Sequence, residues 1–307
     1  MSNHSKLMWH NGKIIPWREG TTHVMSHGLH YGSGIFEGIK CYNSDNGPVL
    51  FRLEDHIKRL FESAKIHKIV IPFSINELVE ACKELIKVNK IVNGYIRPIA
   101  FYGYDTLGVH PQMCPVTTSI AVFNWGEYLG KGALENGVRV TISPWRKFHS
   151  SSLPTIAKAS GQYLNSMLAV RDAKEKGFDE ALLLNQEGTI AEGAGQNIFI
   201  VKNNQIHTNI ENSSILMGIT RDTVINIARN EKISINLESL SIGQLFSADE
   251  AFFTGTASEI TPIREIDGRK ISNGRPGEIT KFLQKKYLTL VHGKSRVFKD
   301  WLTFIKF

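Results

Sequence analysis

A lysine among small and apolar residues is the first candidate for chemistry in this sequence. Lys158 lies in the run LPTIAKASG at 153–161, and Tyr163 follows closely. Apolar neighbours remove water from an ammonium group, which lowers its pKa and favours the neutral amine that Schiff-base chemistry needs. The same run also fits a surface lysine ahead of a helix, so its interpretation depends on residues elsewhere in the chain.

An acidic residue in a glycine-rich stretch is the second candidate. Glu192 lies in AEGAGQNIF at 191–199, where the glycines let the backbone approach a flat ring. A carboxylate there would keep a pyridine nitrogen protonated and the ring an electron sink. A turn that carries a solvated acid explains the same residues equally well.

Two turns and one arginine could bind an anion. Gly218-Ile219-Thr220 precedes a helix, whose unpaired N–H groups and hydroxyl would hold a phosphate. Thr254 to Ser258 is a second turn of small residues, which follows a strand. Arg59, on a helix at 53–66, has the donor fork that clamps phosphate. The alternative for the two turns is ordinary helix capping and turn formation, and the alternative for Arg59 is a solvated surface charge.

Three histidines have the spacing of one helix face, but little else in the sequence supports a metal site. His23, His27 and His30 would share one face of a helix, yet the glycines that follow disfavour a helix and no acidic residue completes a ligand set. We therefore expect structural or substrate-side histidines and no metal. Glycine-rich nucleotide loops and a nucleophile-elbow serine are not found in the sequence.

The elements that must position these residues follow from periodicity and turn residues. Helices are predicted at 53–66, from a capping box at Ser74, and at 160–176, 220–228 and 277–291, and strands at 95–100, 117–123, 138–143, 181–184, 197–201, 205–207, 251–254 and 259–265. The order is not a regular βαβ alternation, so we predict the α+β class. A loop at 124–132 would separate a small domain, 1–123, from a large one, 133–307.

Composition favours an ordinary globular protein of the cytoplasm. The chain has 307 residues, 42% hydrophobic and 21% charged, and three cysteines at scattered positions, which suits a reducing compartment. No apolar run resembles a signal peptide or a membrane span. The net charge of +7 is dispersed, so we expect anionic metabolites and no nucleic acid or membrane as partners.

Together the motifs resemble the branched-chain amino acid aminotransferases, which are fold-type IV pyridoxal 5′-phosphate (PLP) enzymes with the D-amino acid aminotransferase-like fold. The matching stretches keep the family order from about residue 8 to the helix near 290. They are His27 to Gly32, Phe36 to Ile39, Arg59-Leu60, Tyr95 to Pro98, Lys158-Ala159, Glu192 to Gly195, Gly218 to Arg221 and Phe253 to Ala257.

The resemblance implies a role for each residue. Lys158 would form the internal aldimine and shuttle the proton, Glu192 would pair with the pyridine nitrogen, and Tyr163 would bind the phenolic oxygen. The remaining implied ligands are Arg59, Ile219, Thr220 and Thr256 for the phosphate, Thr256-Ala257 for the substrate α-carboxylate, and Tyr31, Phe36, Tyr95, Arg97, Trp125, Tyr128 and a neighbouring subunit's Val109 for the side-chain pocket.

The implied reaction is the reversible transfer of an amino group from L-leucine, L-isoleucine or L-valine to 2-oxoglutarate, which yields branched-chain 2-oxo acids and L-glutamate. A homodimer, or a larger assembly of dimers, would be needed to complete each site. Four positions depart from the family pattern, namely Lys40, Ser160, Gln162 and Gln196. The tail, 293–307, carries no motif. The alternatives are a D-amino acid aminotransferase, an aminodeoxychorismate lyase and a basic binding protein without catalysis.

Overall fold

The chain divides into two units that are not contiguous in sequence. The structure, a computed structural model, describes residues 4–126 and 128–307; residues 1–3 of the predicted first domain and Glu127 of the predicted loop lie outside the described residues. Unit 1 comprises Met1–Trp125, Ala157–Gln162 and Thr289–Phe307, and unit 2 comprises Gly126–Ile156 and Tyr163–Leu288. This division differs from the contiguous domains expected at 1–123 and 133–307.

Specific backbone contacts explain why residues 157–162 belong to unit 1. Ala159 forms an antiparallel β-bridge with Ile35. The amide N–H of Lys158 donates to Ser63 Oγ at 3.0 Å, and its carbonyl accepts from Phe36 N at 3.1 Å. Such pairings between residues far apart in the chain leave no local periodicity, so the sequence pattern does not reveal them.

Unit 1 is built on an antiparallel sheet with helices packed on it. Its first seven strands are β1 Leu7–His10, β2 Lys13–Pro16, β3 Gly34–Phe36, β4 Ile39–Tyr42, β5 Val49–Phe51, β6 Gly94–Tyr102 and β7 Val116–Phe123, and its helices are α1 His27–Tyr31, α2 Leu53–Ile66 and α3 Ile75–Asn89. The sheet order from β5 is β5-β4-β6-β7-β1-β2, with β3 on β6. The buried faces of α2 and α3 share one apolar core with the sheet.

The two long helices of unit 1 confirm the sequence predictions. Helix α2 has the predicted bounds and buries Ile57 and Leu60 on the face toward the core. Helix α3 begins with the predicted capping box, in which Ser74 Oγ accepts from Glu77 N while Glu77 accepts from Ser74 N. Two of the otherwise unpaired donors at the helix start are thereby satisfied.

Unit 2 contains a mixed sheet. Its strands are β8 Val138–Ile142, β9 Glu180–Leu184, β10 Ile190–Gly193, β11 Asn197–Lys202, β12 Gln205–Asn209, β13 Ile235–Glu238, β14 Glu250–Gly255, β15 Glu259–Ile266 and β16 Arg269–Lys270. Its helices are α4 Ala133–Asn136, α5 Tyr163–Glu175, α6 Ile219–Asn230, α7 Ile242–Phe246 and most of α8 Glu278–Val291, whose last three residues are counted with unit 1. The order is β10-β9-β8-β15-β14-β11-β12-β13, with β16 on β15. The pairs β8–β9, β8–β15 and β12–β13 are parallel. The helices and sheets of the two units confirm the predicted α+β class.

Two segments behave differently from the sequence expectation. The predicted helix at 160–176 begins as a 3-10 turn, Ser160–Gln162, before the α-helix starts at Tyr163, because the bridge at Ala159 fixes the preceding backbone. The featureless tail forms a strand, β17 Leu302–Phe304, that pairs with β5 and completes the sheet of unit 1. Ile305 is 2% exposed in the same core, so the tail is structural.

The described residues contain no helix that is both long enough and apolar enough to cross a bilayer. Cys41, Cys82 and Cys114 are buried free thiols. The cytoplasmic location stays a prediction.

Candidate active site

The Lys158 side chain lies beside an aromatic ring in unit 1. Its Nζ atom is 5.0 Å from the centroid of the Phe36 ring at the end of β3. Loss of hydration on burial, reinforced by the nearby charge of Arg59 and opposed by that of Glu37, lowers the pKa of Lys158 from 10.5 to about 8. The amine is therefore neutral far more often than that of a solvated lysine, as a carbonyl-attacking amine requires.

A buried ion cluster fixes the arginine of α2. The Glu37 side chain is fully buried and accepts from Arg59 Nε at 2.6 Å and from Arg59 Nη2 at 2.9 Å. His56 Nδ1 lies 2.8 Å from the same carboxylate. Burial by itself raises the pKa of Glu37, but the Arg59 charge and these hydrogen bonds hold it well below its usual range. Glu37 is therefore an anion, and Arg59 is held in one orientation.

A second arginine of unit 1 is surrounded by aromatic rings. The Arg97 guanidinium on β6 lies 4.9 Å from the Phe36 ring centroid, 5.4 Å from that of Tyr95 and 5.8 Å from that of Trp125. Tyr95 and Trp125 also pack edge to face at 4.8 Å. The buried Nε of Arg97 has no hydrogen-bond partner among the described residues. An unsatisfied buried donor on a cation is suited to an anionic ligand.

The other residues predicted in unit 1 lie on exposed segments. Tyr31, the last residue of α1, is 47% exposed, and Val109 is 79% exposed. The buried His27 ring lies 4.6 Å from the Tyr31 ring, and its Nε2 is 3.1 Å from the carbonyl oxygen of Val109. His27 thus connects the two segments, which agrees with the structural role predicted for it.

In unit 2, the Glu192 carboxylate on β10 is buried and closely held. Its Oε1 forms an ion pair with Lys147 Nζ at 2.6 Å. Its Oε2 accepts from Asn197 Nδ2 at 3.3 Å and from Leu216 N at 3.1 Å. Glu192 is therefore not the solvated turn residue of the alternative interpretation.

The start of α6 lies against the same group of residues. Helix α6 begins at Ile219, its N-cap Gly218 makes no side-chain cap, and Ile219 and Thr220 are buried. A Cβ atom on Gly218 would lie 2.0 Å from Asn197 Oδ1, so any larger residue here would displace the Asn197 side chain. Asn197 therefore joins the Glu192 carboxylate to the helix start.

The turn after β14 approaches the glycine-rich stretch of unit 2. A Cβ atom on Gly255 would lie 3.4 Å from the carbonyl oxygen of Gly195. Thr256 and Ala257 are half-buried in this turn. The hydroxyls of Thr254 and Ser258 are buried without a hydrogen-bond partner among the described residues, as expected where a polar ligand completes the site.

Two tyrosines predicted to bind ligand also belong to unit 2. Tyr163 is the first residue of α5 and is half-buried. Tyr128 is 38% exposed, and its hydroxyl lies 3.7 Å from the Cβ position that a side chain at Gly195 would occupy. Unit 2 thus gathers Tyr128, Glu192, the α6 start and the turn at 254–258 around Gly195 and Asn197.

The departure at Gln196 has a direct structural reason. Its Nε2 donates to Glu180 Oε2 at 2.8 Å, and both side chains are buried. Burial raises the pKa of Glu180, and the bonds from Gln196 and Ala181 N oppose that shift. A glutamate at 196 would place a second carboxylate against Glu180.

Sequence reasoning assigned no role to Glu37, His56 or Lys147. His56 and Arg59 are three residues apart on α2, so their shared face was a signal that they could bind one partner. Nothing local pointed to Lys147, which lies in the segment after β8 and whose partner Glu192 is on β10.

Lys158 is expected to destabilise the ligand-free protein. Between pH 8 and 10.5 the unfolded chain holds a proton that the folded chain has released, so stability rises with pH across this window. Lys158→Met should therefore stabilise the ligand-free protein at pH 7 by up to about 3 kcal/mol, and the gain should shrink as the pH approaches 10.5. Urea unfolding at several pH values measures this; a gain that does not change with pH would contradict it.

Comparisons with known proteins agree with one another. The family model described as amino-transferase class IV matches residues 34–266. A branched-chain-amino-acid aminotransferase of Pseudomonas aeruginosa is 43% identical over 306 residues, which is 100% of this chain and 99% of that protein.

Two solved structures of branched-chain amino acid aminotransferases are also similar. The Escherichia coli crystal structure has a TM-score of 0.96 and 42% identity, covering 98% of this chain and 100% of that one. The T.th. enzyme complexed with N-(5′-phosphopyridoxyl)-L-glutamate has a TM-score of 0.94 and 41% identity, covering 98% and 99%. The predicted fold is thereby confirmed, and the chain belongs to the class IV aminotransferase family.

Proposed function

We propose that this chain transfers the amino group of L-leucine, L-isoleucine or L-valine to 2-oxoglutarate and catalyses the reverse reaction. The observation that carries the proposal is the Arg97 guanidinium, which lies within a ring of aromatic side chains in the same unit as Lys158. The similar enzymes named above are branched-chain aminotransferases, and one of them holds a phosphopyridoxyl-glutamate, which supports both the substrate class and glutamate.

The residues of this chain fit PLP, the cofactor of the family. Lys158 is buried beside the Phe36 ring and has a lowered pKa, which suits covalent attachment. Arg59 is a fixed cation for the phosphate, to which we assign Ile219, Thr220 and Thr256 as further ligands. The Glu192 carboxylate, which Lys147 and Leu216 N hold in place, is assigned to the ring nitrogen, and Tyr163 is assigned to the ring's phenolic oxygen. When bound, PLP supplies the electron sink for the substrate carbon that loses its proton.

The residues of the chain perform the remaining steps. Lys158 Nζ, as a neutral amine, removes the proton from the substrate Cα and later returns one, because its lowered pKa makes it an effective base near neutral pH. The turn Thr256-Ala257 holds the α-carboxylate. Phe36, Tyr95 and Trp125 exclude water around an aliphatic side chain, and Tyr31 and Tyr128 complete the pocket.

A single pocket must accept an aliphatic side chain in one half-reaction and a second carboxylate in the other. The rings around Arg97 stabilise its charge by cation–π contact, so the guanidinium does not need an anion while leucine is bound. When glutamate binds, the unsatisfied Nε and the charge of Arg97 compensate the desolvation of the γ-carboxylate.

The purified protein should be yellow with PLP and lose that colour with L-leucine. Lys158→Ala should abolish transamination and remove the absorbance band of the lysine-linked cofactor, because the covalent attachment is lost, whereas Lys65→Ala, an exposed lysine of the same unit, should change neither. Spectral titration with each L-amino acid, followed by its 2-oxo acid, measures this. Bleaching by D-alanine rather than L-leucine would instead favour a D-amino acid aminotransferase, and reaction with neither would remove the proposed activity.

Arg97→Ala should separate the two half-reactions. We expect kcat/KM for glutamate to fall by about a hundredfold or more, the effect of removing one partner of a buried charge pair, and kcat/KM for leucine to fall much less. Single-turnover kinetics with each amino acid measures the two losses. Equal losses of kcat/KM for the two substrates would show that Arg97 supports the pocket but does not bind the second carboxylate.

We propose further that a second copy of the chain covers an apolar surface of unit 1. This surface joins residues 23–31 to residues 104–113, since the His23 ring stacks on Tyr104 at 4.4 Å and His27 approaches Val109. Its exposed members are Val24, Leu29, Leu107, Val109 and Met113, each 61–79% exposed. A monomer rarely exposes so many neighbouring apolar side chains. The same contact would bring Val109 to the partner's pocket.

The mass in solution tests this arrangement. Light scattering should give a dimer or a multiple of it, and Leu107→Asp with Val109→Asp should yield monomers with weakened activity, because two buried charges disfavour the interface. Val70→Asp, at a residue 78% exposed outside this surface, should leave the mass unchanged. A monomeric wild-type protein would contradict the proposal.

A further inference from the structure

Lys147 is a buried lysine to which the proposed reaction assigns no role. Its side chain is 10% exposed and that of its partner Glu192 is 7% exposed, with 2.6 Å between Nζ and Oε1. The backbone of Lys147 is held separately, because its N–H donates to Leu184 O at 2.8 Å and its carbonyl accepts from Gln186 Nε2 at 2.8 Å. The side chain can therefore be altered without removing the contacts that place this segment.

The contacts of Glu192 leave room for one more donor. An ionised carboxylate accepts up to about four hydrogen bonds. Lys147 uses one site on Oε1, and Asn197 and Leu216 N use two on Oε2. The three contacts fix the carboxylate plane, and one acceptor position on Oε1 remains for a donor from a ligand.

The charge of Lys147 matters as much as its hydrogen bond. A carboxylate buried to this extent is costly unless a counter-charge accompanies it. Within residues 4–126 and 128–307, Lys147 is the cation that forms an ion pair with Glu192.

We propose that Lys147 is a positioning residue for the cofactor: its ammonium is the counter-charge of Glu192 and orients the carboxylate, so that the remaining acceptor position on Oε1 is available to the ring nitrogen of PLP. The inference rests on the proposed function, since it assumes that PLP binds with its nitrogen toward Glu192. It assigns to Lys147 a contribution that depends on that nitrogen and on no other part of the cofactor.

The test compares two cofactors on cofactor-free protein. The dissociation constants of PLP and of its 1-deaza analogue, in which a C–H group replaces the ring nitrogen, are measured by spectral titration for wild type, Lys147→Met and Lys147→Arg. We expect Lys147→Met to weaken PLP binding about tenfold or more, the effect of losing a hydrogen bond to a charged group, and to leave the analogue's affinity unchanged. Lys147→Arg, which keeps the charge, should restore most of the PLP affinity.

Matched controls separate positioning from folding. Lys176→Met breaks an exposed ion pair of unit 2, with Asp172 at 2.7 Å, and should affect neither cofactor. If Lys147→Met does not fold, as judged by far-UV circular dichroism, Lys147→Gln retains a donor without the charge and is expected to show the same selective loss. In a Glu192→Gln background, Lys147→Met should cause no further loss of PLP affinity.

Each remaining outcome has a distinct meaning. Equal losses for PLP and the analogue, or PLP affinity that is unchanged or tighter in Lys147→Met, would overturn the role of Lys147 while the proposed reaction stands. Wild-type protein that does not bind PLP would overturn the proposed function itself.

Discussion

The fully buried carboxylate of Glu37 is the interaction on which the surroundings of Lys158 depend. It binds Arg59 through two hydrogen bonds and His56 through a third. Its negative charge raises the pKa of Lys158, against the lowering by burial and by Arg59. Without this anion, unit 1 would hold neighbouring cations with no compensating charge, at a cost that burial makes large. The cluster is thus a condition for placing a reactive lysine beside an arginine.

Unit 2 uses the same physical device with the charges reversed. There the buried group is a carboxylate, which we propose is offered to a ligand, and a buried lysine compensates its charge. Ion pairs at the surface, such as Lys58 with Glu54, contribute little because water screens them. The buried pairs differ, since their geometry is fixed before any ligand arrives and little reorganisation accompanies binding. Both units therefore supply preorganised charge from pairs that are distant in sequence.

Sequence patterns predicted the elements with strong local signals. Helix α2 follows from its apolar spacing, and the start of α3 from the Ser74–Glu77 capping box. The short strands β1 to β5 and β17 carry too few residues for a clear period, and their pairing depends on partners elsewhere in the chain. The roles of Glu37 and Lys147 could not be predicted for the same reason, because each acts through a tertiary contact. The resemblance implies which residues would face a ligand, but it gives no role to the residues that hold them in place.

The amide of Gln196 affects how many protons unit 2 exchanges with solvent. Two carboxylates packed at this distance would share one proton and titrate as a pair, with populations that change over several pH units. An amide gains and loses no proton in that range, so its bond to Glu180 keeps the same donor and acceptor. The same side chain accepts from Gly195 N at 3.1 Å. The glycine-rich stretch beside Glu192 is thereby held by a side chain that gains and loses no proton, so acidity acts on this contact through Glu180 alone.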